Sequence, residues 1–149
     1  MGSTSRKVFQ PFPPQVVWVG KVVLDAAYAV HTELGPGLLE SVYQVAMKHV
    51  IESSGVPVET EVEFPILFRG VKLESGLRLD MLVNHGVIAE LKSVEKMNPV
   101  CEAQLLTYLR LSKVRLGFLI NFHVPHLKDG INEWSFEFIN TQGQGPKGL

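Results

Sequence analysis

Cysteine is almost absent from this chain: Cys101 is the single one in 149 residues. A disulfide framework, a Cys-based zinc site and a four-cysteine iron–sulfur cluster are therefore excluded, and the chain fits a reducing cytoplasm. No apolar run approaches the length needed to span a bilayer, and the opening MGSTSRKVFQPFPP lacks the apolar core of a secretory signal. Charge of one sign is lacking too. With 14 Lys and Arg against 15 Asp and Glu, the formal net charge is −1, which argues against a strong non-specific nucleic-acid binder, since such proteins carry a marked basic excess. Gly35-Pro36-Gly37 is not followed by the Lys-Ser/Thr of a phosphate-binding loop, and no serine-hydrolase elbow is present. There is no internal repeat and no linker.

What remains is an ordinary globular composition, 46% hydrophobic and 19% charged, long enough to bury one substantial core. The pattern predicts an extended arm over 1–16, where Pro11, Pro13 and Pro14 cluster, one domain over 17–140 and a loose tail over 141–149. Helices are expected at 17–33, with Val22, Val23, Ala26, Ala29 and Val30 as the buried stripe, at 38–53 and at 99–112. Strand signals cover 58–68, one or two strands interrupted by Pro65, after which Arg69-Gly70 turns the chain toward Val71 and Leu73, then 77–83, 87–94, the almost continuously apolar 114–122, and 132–139.

The chemistry concentrates in LRLDMLVNHGVIAELKS, residues 77–93. Asn84-His85-Gly86 reads as a three-residue hairpin loop with Gly86 in the left-handed position. Val83 then pairs with Val87, Asp80 falls opposite Glu90, and Arg78 opposite Lys92. Alternation puts Leu79, Met81, Val83, Val87, Ala89 and Leu91 on one face and gathers Arg78, Asp80, Glu90 and Lys92 on the other. Two carboxylates side by side repel, and a hard divalent cation removes that cost by taking oxygens from both. A salt-bridge ladder on a solvated face would use the same four residues, and the charge pattern alone does not choose. Two neighbouring helices carry further polar groups. Asn98 reads as an N-cap before Pro99, and Gln104 and Tyr108 lie one turn apart beside Leu105, Leu106 and Leu109. Glu40 opens the second helix, favourably placed for its dipole, and Tyr43 follows one turn later, where a core role is the plain reading.

These segments also carry a resemblance. LGPGLLESVY holds Gly37-x-x-Glu40-x-x-Tyr43, and with RLD, ELKSVE, EAQLLTYLRL and GFLINFHVPHLKDGI it resembles the GxxExxY proteins, a branch of the PD-(D/E)XK nuclease-like superfamily. The resemblance implies an α/β restriction-endonuclease-like core, a mixed β-sheet flanked by helices, and a metal-dependent nuclease acting on DNA or RNA. Carried onto this chain, it implies catalytic roles for Glu40, Asp80, Glu90, Lys92 and Gln104. Asp80, Glu90, Glu40 and the Leu91 carbonyl would be the ligands of Mg2+ or Mn2+, with Arg78, Tyr43 and Tyr108 as candidate substrate contacts. One departure is visible, because Cys101 stands where the family pattern has His. The competing expectation is a non-catalytic scaffold that keeps the nuclease fold and binds nucleic acid or protein.

Other features read more plainly. His123-x-x-His126 is interrupted by Pro125 and suits a loop better than a metal pair, His31 suits helix packing, and Cys101 a small buried position. Glu59, Glu61 and Glu63 alternate as an acidic outer face, while Arg110, Lys113 and Arg115 form a basic cluster. A two-fold homodimer is expected if both strands of a duplex are cut, with Phe9, Phe12, Val16 and Trp18 of the arm as contacts.

Overall fold

The computed structural model describes residues 12–135. Three helices and five strands follow in the order α1 (Pro14–Leu34), α2 (Glu40–Ser53), β1 (Val58–Phe68), β2 (Val71–Val83), β3 (Val87–Lys92), α3 (Pro99–Ser112), β4 (Leu116–Asn121) and β5 (Ile131–Ser135), with a 3-10 turn at Leu127–Gly130. The strands form one mixed sheet in the order β1-β2-β3-β4-β5 among the described residues, antiparallel except for β3 beside β4. A parallel neighbour needs a crossover, and α3 provides it.

Two apolar layers sandwich the sheet. Under α1 and α2 lie Val19, Val23, Ala27, Tyr43, Met47 and Ile51 against Met81, Ala89, Leu91, Phe118 and Phe122. Under α3 lie Leu105 and Leu109 against Leu79, Leu82, Ile88 and Leu119. Every residue of β4 is buried, as its unbroken apolar run demands of a strand covered on both faces.

Several boundaries differ from the sequence expectation. The helix α1 begins at Pro14, within the segment read as arm, because proline has no N–H to lose at the first helical position. Phe12 and Val16, expected as partner contacts, are partly buried against the chain's own core, with the Arg115 guanidinium over the Phe12 ring; Trp18 is exposed, and Phe9 lies outside the described residues. The tail and 136–139 of the expected last strand also lie outside them. The strand β2 is continuous from Val71. Between Phe64↔Leu77 and Ile66↔Leu73 the register slips, so that Pro65 opposes three residues of β2. Proline lacks a ladder donor, and a bulge on an edge strand is where it costs least. Gly76 belongs to the same irregularity, since a Cβ there would sit 2.8 Å from the Phe64 carbonyl oxygen.

The hairpin register is as expected, with Val83 opposite Val87. Its turn is not. Asn84 and His85 occupy the left-handed region, at φ 50° and 56°, while Gly86 does not. This two-residue geometry follows the right-handed twist of the flanking strands, and Asn tolerates it.

Candidate metal and nuclease site

Side-chain alternation along β1 and β2 breaks at one level. Glu61 sits at φ 54°, opposite Asp80 by register. Below that level Val58, Met81 and Val83 face α1 and α2, whereas above it Val62, Phe64 and Leu79 face α3. The expectation that Leu79 shares a face with Met81 is thus overturned, because a left-handed residue in β1 turns the pair of strands over. Asp80 lies on the fold line.

The β2–β3 ladder also stops there, after Met81↔Ala89. Side chains replace it: the Asp80 N–H donates to Glu90 Oε1 at 3.0 Å, and the Leu91 N–H donates to Asp80 Oδ2 at 2.9 Å. Each carboxylate is therefore held by the other strand's backbone. Arg78 is not brought to Lys92; it lies opposite Glu63 on β1, and its guanidinium pairs with Glu61.

Glu90 is only 6% exposed. Burial first, and then the negative charge of Asp80, push its carboxyl up to about 8, opposed by the Asp80 N–H and by the charge of Lys92. Lys92 is half-buried beside it, yet no ion pair to Asp80 or Glu90 within 4.0 Å is formed among the described residues. Its charge acts on Glu90 over more than salt-bridge distance.

A cleft of about 220 Å3 opens over Asp80 and Leu91, walled by Glu40, Ser41, Gln44 and Glu61. Glu40 thus reaches the site from the first turn of α2. Gln44, one turn further along the same helix stripe, donates to the Asp80 carbonyl at 2.9 Å and to Glu61 Oε1 at 3.0 Å. Neither Gln44 nor the inward role of Glu61 was found from the sequence. The spacing Glu40 to Gln44 was a signal for the first, but only the kink at Glu61 turns that member of an outer acidic row toward the cleft.

From the α3 side, Gln104 Nε2 donates to the Tyr108 hydroxyl at 2.7 Å. Tyr108 is near enough to feel the carboxylates, its hydroxyl pushed upward by burial and then by the charge of Glu90. Asn98 caps α3 as expected, accepting from the Val100 N–H at 3.0 Å.

Tyr43 is not at the site. Its ring is fully buried, stacked on Phe122 with centroids 4.3 Å apart, and its hydroxyl donates to the Gly35 carbonyl at 2.6 Å and accepts from the Leu38 N–H at 3.1 Å. Sealed from solvent, it is out of substrate's reach, and it anchors the loop that delivers Glu40. Tyr43→Phe removes both bonds of the hydroxyl, leaving the half-buried Gly35 carbonyl and the Leu38 N–H without it, and is expected to cost about 2 kcal/mol, lowering the thermal midpoint by roughly 4–8 °C. Calorimetry checks this. Leu38 is further tied by Ser93, whose hydroxyl donates to its carbonyl at 2.6 Å.

A second buried polar group holds the other side. Asn121 accepts from the N–H groups of Val94 and His123 and donates to the Val94 carbonyl, so β3 ends at Lys92 and the chain beyond it is clamped to the end of β4. His31 contacts the Val124 carbonyl at 2.8 Å and stacks near Phe122, a packing role.

Two carboxyl groups with the Leu91 backbone beside them suit a hard, oxygen-seeking cation, and a buried carboxyl held against a half-buried carboxylate is the kind of site whose cost such an ion removes. Among the described residues no group of three or more His, Cys, Asp or Glu side chains is close enough to hold one ion, so water or substrate oxygens must complete any shell. No helix among them is long and apolar enough to cross a membrane.

A search of curated proteins and a search of solved structures each return no match. A family model does match, that of the PD-(D/E)XK nuclease superfamily, over residues 18–134, a span that takes in α2, β1, β2 and β3, which line the cleft. The chain belongs to the PD-(D/E)XK nuclease superfamily.

Proposed function

We propose that the protein is a metal-dependent nuclease that hydrolyses phosphodiester bonds in DNA or RNA. Within the superfamily we place it in the GxxExxY branch, on Gly37, Glu40 and Tyr43. The observation that carries the reading is the reciprocal hold of Asp80 and Glu90 where their strands part, with Lys92 two residues on. Backbone donors pin both carboxylates while Glu90 remains buried, an arrangement that costs stability unless a cation serves it.

In this reading Asp80 and Glu90 would hold Mg2+ or Mn2+, with Glu40, directly or through water, and the Leu91 carbonyl as further oxygen donors. When bound, the ion supplies Lewis acidity and positive charge beside the scissile phosphate. Lys92 orients the attacking water and offsets the charge that grows on the phosphate. Gln104 and Tyr108, already joined to each other, present a hydroxyl and an amide to the substrate from α3. Gln44 holds Asp80 by its carbonyl and keeps Glu61 at the rim.

The test is a titration of Mg2+ and Mn2+ against single- and double-stranded DNA and RNA. Cleavage that needs the metal and falls below detection in Asp80→Asn is the expected result. Cleavage that survives both chelation and Asp80→Asn would remove the proposal. Tight binding of one substrate without cleavage under any metal would instead support the scaffold reading, which the modest net charge of −1 keeps in view.

A further inference from the structure

Glu61 stands in the middle of β1 with its backbone in the left-handed region, at φ 54°. Glycine adopts that conformation freely, whereas a residue with a Cβ is strained there, and strain of this kind gathers at functional sites. The side chain is what glycine could not supply. Glu61 lines the cleft, and both its carboxylate oxygens are engaged: Oε1 accepts from Gln44 Nε2 at 3.0 Å, and Oε2 pairs with the Arg78 guanidinium. The ion pair does not account for the glutamate. Its Arg78 and Glu61 side chains are 65% and 43% exposed, and a pair so open to water contributes little to stability. The bond to Gln44 leads inward, because the same Nε2 donates to the Asp80 carbonyl at 2.9 Å.

Side chains take part in three bonds that hold Asp80. Its N–H donates to Glu90 Oε1, its Oδ2 accepts from the Leu91 N–H, and its carbonyl accepts from Gln44. The first two tie it to β3, and the third ties it to α2. An amide side chain offers NH2 on one side and oxygen on the other, so Gln44 can serve the Asp80 carbonyl in only one of its two orientations. The neighbouring carboxylate selects that orientation. Glu61 Oε1 accepts from the NH2 and would repel the amide oxygen, and its charge strengthens the bond. We infer that Glu61 is a positioning residue for the acidic pair. It orients the Gln44 amide, the amide holds the Asp80 carbonyl, and the Asp80 carboxylate is thereby kept on the Leu91 N–H. Left-handed backbone in β1 is the strain that brings the Glu61 carboxylate to this place. The inference rests on the metal-site reading proposed above and extends that site from the hairpin to β1.

Amide hydrogen exchange on the full chain, free of metal, reads this without any ligand. Glu61→Gly keeps the backbone turn and removes the carboxylate, while Gln44→Leu keeps much of the bulk and removes the donor. In each, the Leu91 amide, whose acceptor is Asp80 Oδ2, should exchange at least about tenfold faster while the amides of β4 keep their wild-type rates. Calorimetry should show manganese bound at least about tenfold more weakly, the usual scale for a lost partner of a metal ligand. The two variants break one chain of bonds, so E61G/Q44L should be no worse than the poorer single variant. Glu61→Gln loses the charge but keeps an acceptor for Gln44, and it should bring both readings close to the wild type. A Leu91 amide that exchanges at the wild-type rate in Glu61→Gly or Gln44→Leu would overturn the inference, as would effects that add in the double variant. Glu61→Gln as damaging to manganese binding as Glu61→Gly would overturn it too, assigning Glu61 to charge alone. Faster exchange throughout β4, with a lowered thermal midpoint and unchanged manganese affinity, would make Glu61 merely structural and overturn it as well. A wild type that binds no manganese defeats the metal reading, and the exchange rates then decide the positioning role by themselves.

Discussion

Lys92→Met is expected to leave a folded protein that binds manganese but cleaves at least about a hundredfold more slowly, the scale of a lost acid–base or electrostatic group. The structure makes this substitution informative. Lys92 forms no ion pair with Asp80 or Glu90 within 4.0 Å, so deleting its charge breaks no salt bridge, and the Met side chain retains much of the apolar stem. Its backbone carbonyl, which accepts from the Phe122 N–H at 2.9 Å, is untouched. One indirect effect must be separated out. The charge of Lys92 lowers the Glu90 carboxyl, so its removal raises that group further and favours the proton over the metal. Rates measured at saturating manganese and alkaline pH remove the competition. Should activity return to the wild-type level there, with metal-free stability reduced, Lys92 is a structural neutraliser and the catalytic assignment fails.

The second large effect concerns Glu90 and pH. Its carboxyl lies near 8 in the folded chain against an ordinary 4.5. Between those values the folded protein keeps a proton that the unfolded chain has released, so the unfolding free energy falls as pH rises, by up to about 1.4 kcal/mol per unit. Below 4.5 both states are protonated and above 8 both are ionised, so the slope vanishes outside the window. Metal-free protein should therefore lose a few kcal/mol between pH 5 and 8, and urea unfolding in chelator at several pH values measures it. Over the same range the ion must displace that proton. The apparent affinity for manganese should rise about tenfold per pH unit and level off above about 8. Glu90→Gln should flatten this contribution to the stability slope, remain at least as stable as the wild type at pH 8, and lose the metal. A Gln variant whose calorimetric manganese binding and pH profile match the wild type would exclude Glu90 as a ligand.

Much of this molecule is legible in its sequence because much of it is local. The helix α3 runs from Pro99 to Ser112 as read, since Asn98 and Pro99 are start signals that act within one turn. The pairing of Val83 with Val87 follows from the loop between them, and the buried β4 from its unbroken apolar run. The register that brings Asp80 and Glu90 together follows from the same hairpin. The turn conformation was less accessible, because Asn84 and Gly86 can both adopt left-handed backbone and the choice lies with the twist of the strands.

Other features depend on residues far apart in the chain. Leu79 changes face because Glu61, on another strand, sits at positive φ; period-two alternation contains no such information. Arg78 leaves Lys92 for Glu61 because the β2–β3 ladder ends at Met81↔Ala89, three residues short of that pair, and β1 is the neighbour that remains. Tyr43 and Glu40 stand three apart on one helix, yet one is sealed against Phe122 and the other opens on the cleft, a difference set by what packs across from each. The sequence by itself determined the elements, the hairpin register and the acidic pair. Tertiary structure decided which charges face the cleft, how deeply Glu90 is buried and hence where it titrates, because desolvation and long-range pairing exist only once the sheet is closed between its helices.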